Sequence, residues 1–277
     1  MRALARAAAL AAGLLLAGCS ATRIIYHNAD LYLRWQARSY LALQGEQGAE
    51  LDRRIAALLA WHRAQALPQY AQFTEEAARR VERGLGRADL VWGYDAFQVQ
   101  LREALRAAGA EMAGLLDRLA PAQLAHLEER LAEENRQFAR EQGAGSPRQE
   151  RAARLKRSLE RLEEWFGALN EEQIERVKRF NQRAPLLYEL RDRDRRRRQA
   201  EFLAMLRARE GARRLPDWAA AWDAGRAPGY EAAVQRYREE YEAMLLELDR
   251  SLTAGQRRAA AARLREWAAD FATLARR

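Results

Sequence analysis

The whole chain carries one thiol, and its setting decides its chemistry. Cys19 is the only cysteine among 277 residues, and Leu16, Ala17 and Gly18 precede it. Cysteine offers the one side-chain sulfur nucleophile able to form a thioether. Upstream, Arg2 and Arg6 make a positive start, and Ala7 to Leu16 is an apolar run. A run of about ten residues suits a signal peptide and is too short for the roughly 20 that a membrane-spanning helix needs. Leu16-Ala17-Gly18-Cys19 therefore reads as a lipobox, in which the cysteine takes a diacylglycerol and the chain is cut just before it. Residues 1–18 are then a cleaved signal peptide and 19–27 a lipidated tether. One acyl chain holds only marginally, at about 0.8 kcal/mol per buried methylene, so stable anchoring takes two or more. With the thiol consumed by lipid, no disulfide, metal or nucleophile role is left for it.

The other reactive residue types form no constellation. His27, His62 and His126 stand far apart, and none belongs to a His-Glu-x-x-His or Glu-x-x-His pattern. Each is expected to pack or to face solvent. There is no Gly-x-Ser-x-Gly elbow and no phosphate-cradling glycine loop. No catalytic or metal-binding residue is assigned, and no cofactor is expected beyond the covalent lipid on Cys19. Basic residues are more informative. From Arg148 to Arg214 there are 20 Lys and Arg against 12 Asp and Glu, which accounts for most of the net charge of +9. The peak is Arg191, Arg193, Arg195, Arg196, Arg197 and Arg198, around Asp192 and Asp194. The apolar stripe lapses there, from Leu190 to Phe202. A helix polar all round for two or three turns projects into water or meets a polar partner. The sextet is thus either a solvated face or a docking site for an anion, since a guanidinium pairs bidentately with phosphate.

The elements that carry these residues are helices throughout. Alanine, leucine, arginine and glutamate dominate, all strong helix formers, and only six prolines interrupt them. Almost no stretch alternates long enough for a strand. The expected fold is all-α, a multi-helix bundle of long amphipathic antiparallel helices. Asn28 is a candidate N-cap for a helix to about Leu43, and Pro68 is expected to kink or break the next one. Stripes follow through Trp92, Phe97, Leu101 and Leu105, through Leu124, Leu127 and Leu131, and through Leu155, Leu159 and Leu162. Pro185 is expected to start a helix reaching about Arg213, and Leu215-Pro216-Asp217 to open a short piece whose Trp218 and Trp222 either pack on the core, the default for tryptophans at helical spacing, or form an exposed binding surface. Tyr230, Val234, Tyr237, Tyr241, Leu245 and Leu248 mark another stripe, and Leu264, Trp267 and Phe271 the last. Gly143 to Pro147 is the clearest linker, dividing an N-terminal half (28–142) from a C-terminal half (148–277), unless the two make one continuous domain.

One short pattern recurs at helix starts. Leu252-Thr253-Ala254-Gly255-Gln256 and Leu169-Asn170-Glu171-Glu172-Gln173 are capping boxes. Leu119-Ala120-Pro121-Ala122-Gln123 and Leu43-Gln44-Gly45-Glu46-Gln47 repeat the form without a good cap. The first two resemble the Leu-Thr-x-x-Gln motif of small periplasmic helical proteins, among them envelope-stress chaperones. The glutamines lie 76, 50 and 83 residues apart, so no strict period supports a solenoid. A broader resemblance begins after the cysteine. Tyr26-His27-Asn28-Ala29-Asp30, Trp35 and Tyr40, then Trp61-His62-Arg63 and Leu67-Pro68-Gln69-Tyr70, resemble the start of an uncharacterised Gram-negative outer-membrane lipoprotein family. That resemblance implies export and a helical fold and assigns no activity. Ser20 stands where an Asp would resemble an inner-membrane retention signal, which points to the periplasmic leaflet of the outer membrane.

The expectation is a lipid-anchored, non-catalytic envelope module, binding or chaperone-like, that meets the membrane through its lipid and has a protein or anionic lipid as partner. Nucleic acid is not expected there. The alternatives are an enzyme acting on envelope polymers or lipids, or a structural protein docking anionic lipid or lipopolysaccharide through the basic segment.

Overall fold

The computed structural model describes residues 22–142 and 145–276. The expected signal peptide, the lipobox Leu16, Ala17, Gly18 and Cys19, and residues 143–144 of the linker lie outside them. Among the described residues there are eleven α-helices and no strand. They are α1 (Ala29–Leu41), α2 (Gln47–Trp61), α3 (Leu67–Arg83), α4 (Arg87–Leu116), α5 (Pro121–Gln142), α6 (Pro147–Phe166), α7 (Glu171–Arg183), α8 (Tyr188–Arg207), α9 (Gly211–Ala220), α10 (Pro228–Ser251) and α11 (Ala254–Ala275). None is long and apolar enough to cross a membrane. The all-α bundle expected from composition and stripes is the fold observed.

Two four-helix units share one plan. In the first, α1 packs on α2 and α5, and α2 on α4; in the second, α6 packs on α7 and α11, and α7 on α10. The units then exchange helices. The most extensive packing among the described helices is between α3 and α11 and between α9 and α4. Two of the hydrophobic clusters accordingly cross the 143–147 boundary. One joins Leu41, Leu116 and Leu127 to Leu203, Met205 and Leu215; another joins Ala78 to Ala261 and Leu264.

In each unit two glutamine amides from helix starts pair face to face. Gln123 Nε2 donates to Gln47 Oε1 at 2.8 Å and Gln47 Nε2 donates back at 3.3 Å. Gln173 and Gln256 do the same at 2.9 and 3.1 Å. All four are the final residues of the recurrent five-residue pattern. Each also accepts the backbone N–H three residues earlier, at Gln44, Ala120, Asn170 and Thr253. The second and fourth copies are preceded by an aspartate that caps a distant helix start. Asp117 accepts the amides of Gly211 and Ala212 at 2.7 and 2.8 Å, and Asp249 that of Leu85 at 3.0 Å.

Several boundaries differ from the sequence reading, each for a local reason. Pro68 does not break the chain: His62–Ala66 forms a single π-turn in which Leu67 N–H reaches back to His62 O. The wider turn places Pro68 in the first turn of α3, where its missing N–H has no partner to lose. α8 starts at Tyr188 and not at Pro185, because Arg154 holds the carbonyls of Ala184 and Pro185 outside the helix. α9 starts at Gly211, and Pro216 sits inside it, because the cap comes from Asp117. Residues 22–27, expected to be a tether, are helical and docked. Arg23 Nε meets Asp270 Oδ1 at 2.5 Å, and Tyr26 Oη lies 3.1 Å from His62 Nδ1. A carboxylate only 1% exposed and an aromatic seat made by His62 and Tyr70 hold the segment down.

Candidate functional site

The six arginines of the sequence peak do not form one surface. Three tie α8 to its neighbours. Arg195 donates to Asn135 Oδ1 at 2.5 Å and lies over the Phe138 ring at 4.5 Å. Arg198 donates to the carbonyls of Trp218 and Ala221, its guanidinium 4.1 Å above the Trp218 ring. Arg197 joins Asp194, Glu201 and the Ala224 carbonyl. Arg196 pairs with Asp192 one turn back, and Arg193 reaches only the Glu189 carbonyl. The lapse in the aliphatic stripe therefore does not mark a helix standing in water. Guanidinium–aromatic stacking replaces leucine packing there, and the polar partner is the same chain. Trp218 and Trp222 serve that packing: Trp218 stacks on Phe202 and donates to Glu201, and Trp222 donates to Gln98.

Arg191 is the exception, because it faces a cleft of ≈ 510 Å³. Helix α6 supplies one wall with Arg154, Arg157, Ser158, Arg161 and Leu162, an i, i+3/i+4 series on one face. Helix α10 supplies Tyr237, Tyr241 and Met244; Pro185, Leu187 and Tyr188 close an end with Phe138. Glu150 is the one carboxylate in this lining. Arg154 is fixed from behind by Asn181 Oδ1 at 2.6 Å and Pro185 O at 2.8 Å. Burial, with Arg151 and Arg157 nearby, pulls its pKa below the usual arginine value. Arg157, Arg161 and Arg191 are exposed, and none has a carboxylate partner among the described residues. The aromatic wall is built of rings in mutual contact. Tyr237 and Tyr241 stack at 13°, both edge-on to Phe180, and Phe138 stacks on Tyr188. Burial pushes the Tyr241 hydroxyl's pKa up and Tyr237 adds to it, while Arg161 pulls the other way.

Such a cleft attracts an anion and offers its carbon skeleton an aromatic and aliphatic floor. Three guanidinium groups present donors to a phosphate, sulfonate or carboxylate. The lining holds no histidine, and its ionisable groups are arginines, tyrosines and the single carboxylate of Glu150. Elsewhere, His62 sits in the aromatic seat with Tyr26 and Tyr70, and burial followed by Arg63 lowers its pKa. His126 contacts the Ser39 carbonyl and His27 is exposed. Among the described residues no three His, Cys, Asp or Glu side chains are grouped to hold a metal. The sequence reading found the basic quarter but missed the cleft. Its signal was Arg154, Arg157 and Arg161 on one face of α6, beside a stripe whose leucines claimed attention. Tyr237 and Tyr241 read as ordinary core.

The fold and this site define an all-α, multi-helix protein with an arginine- and tyrosine-lined cleft. The chain belongs to a family of unknown function, DUF6279, whose model matches residues 39–218. The matched stretch contains the Arg154–Arg191 wall of the cleft, while Tyr237 and Tyr241 lie beyond it. No curated protein and no solved structure matches the chain.

Proposed function

We propose that this protein is a lipid-anchored, non-catalytic binding module of the bacterial envelope whose cleft holds an anionic amphiphile. The cleft carries the binding part of this reading: Arg157, Arg161 and Arg191, without carboxylate partners among the described residues, converge on a floor of tyrosine, leucine and methionine. The lipobox Leu16-Ala17-Gly18-Cys19 supports the anchor, and Ser20 the outer-membrane leaflet. A ligand with one phosphate or sulfonate and an apolar body satisfies both halves of the site, whereas a neutral or cationic ligand leaves the guanidinium field unanswered.

The test is a fluorescence titration with anilinonaphthalene sulfonate, an anionic aromatic probe, repeated in competition with a soluble short-chain phosphatidylglycerol. The Arg157→Gln/Arg161→Gln/Arg191→Gln variant is expected to bind both about tenfold more weakly or worse, with its helical circular dichroism intact, since charge-assisted hydrogen bonds contribute about 1.5–3 kcal/mol when desolvated and less in an open cleft. Equal affinity in the variant would refute the cleft as the binding site.

A further inference from the structure

The N-terminal helical segment has two apolar faces, and only one of them is covered. Tyr26, Leu33, Ala37, Tyr40 and Leu41 turn inward, against His62 and the clusters around Leu51 and Leu116. Ile24, Ile25, Leu31, Tyr32 and Trp35 turn outward, 57–71% exposed, and are five of the most exposed large hydrophobics among the described residues. At 3.6 residues per turn the five fall within about a third of the helix circumference. Tyr32 and Trp35 lie ring against ring at 6.2 Å. The inner contacts fix the direction of this stripe: Arg23 to Asp270, Tyr26 to His62, Tyr40 to Glu134, and Arg38 to Asp52.

We infer that this outward stripe seats the protein on the bilayer interface, lying in the membrane plane beside the lipid on Cys19; the inference rests on the anchored reading above. Three features select a membrane over a protein. First, Thr22, where the described helix begins, is three residues from Cys19, a span of at most about 11 Å. The stripe is thus held at the depth where an acyl chain enters the bilayer. Second, the composition is isoleucine and leucine with tyrosine and tryptophan, the mixture that favours the headgroup boundary. Third, the patch is one helix wide and five side chains long, short of the 20–30 residues per side of a stable protein interface. The anchor alone would leave the body free to swing; with the stripe immersed, the body has a fixed attitude, and the direction of the cleft relative to the bilayer is set.

The experiment uses the chain from Thr22 to Arg277, which contains every described helix and all four hydrophobic clusters and carries no lipid. Cosedimentation with vesicles of phosphatidylethanolamine and phosphatidylglycerol is compared between this protein and its Ile25→Ser/Leu31→Ser/Trp35→Ser variant. All three positions are exposed, so circular dichroism and thermal midpoint are expected to stay unchanged. Partitioning is expected to fall about tenfold or more, and brominated lipid is expected to quench fluorescence in the parent but not in Trp35→Phe. No vesicle binding by the parent, equal binding by the variant, or a dimer that the variant abolishes would each overturn the inference. Lipidation is read separately, from the intact mass of the full chain and its Cys19→Ala variant. A full chain that carries no lipid mass beyond that of its Cys19→Ala variant would refute the anchor and leave the vesicle result standing.

Discussion

Replacing Gln173 by alanine is expected to remove about 3 kcal/mol of stability, more than any capping substitution in the molecule. The side chain is fully buried and uses its whole amide. Oε1 accepts from the Asn170 amide at 3.1 Å and from Gln256 Nε2 at 3.1 Å; Nε2 donates to Ser251 O at 3.0 Å and to Gln256 Oε1 at 2.9 Å. Truncation leaves a helix-start N–H, a carbonyl and half of a second amide without partners, each worth about 1–3 kcal/mol when buried. A simple N-cap loss, such as Thr253→Ala, is worth about 1 kcal/mol. Urea denaturation is the measurement: the midpoint should fall with an unchanged slope, because the same surface is exposed on unfolding. Gln173→Glu should do no better, since a carboxylate cannot donate to Ser251 O or to Gln256 Oε1. A midpoint shift no larger than that of Thr253→Ala would show that the paired amides are ordinary caps.

The second large effect is expected at Gly109, where α4 crosses α9. A β-carbon there would lie 2.9 Å from Pro216 Cα, 3.0 Å from Leu215 O and 3.1 Å from Pro216 N, all backbone atoms. Backbone cannot rotate aside as a side chain does, so the helices must part. Gly109→Ala is expected to destabilise by about 2 kcal/mol and Gly109→Leu by more, in the range of overpacked cores. Gly93 gives the opposite sign on the same helix. Nothing lies within 4 Å of its would-be β-carbon, and alanine there should stabilise by up to about 1 kcal/mol through helix propensity alone. Thermal melts of the three variants decide the matter. A stabilising Gly109→Ala would mean that the crossing is looser than these distances state.

The contrast between these glycines shows where sequence reasoning stops. Helix class, most helix stripes and the two full capping boxes were legible, because they depend on residues three or four apart. The amide pairs were half legible: the pattern ending in Gln47, Gln123, Gln173 and Gln256 stood out, but pairing across 76 and 83 residues is a tertiary fact. Asp117 capping Gly211 across 94 residues hid the start of α9 and made Pro216 look like a beginning. Arg195 and Arg198 read as solvent-facing because a guanidinium over an aromatic ring leaves no apolar period. The cleft was illegible for the same reason, its walls coming from α6, α8 and α10.

The bond between Arg23 and Asp270 spans 247 residues and joins the first described turn to the last helix. A ribosome releases the arginine long before its partner exists. Until α11 is made, the segment is held by contacts within the first 142 residues: Tyr26 to His62, Tyr40 to Glu134 and Arg38 to Asp52. A chain cut short before Asp270 keeps those three contacts and loses the one that ties the first described turn to α11.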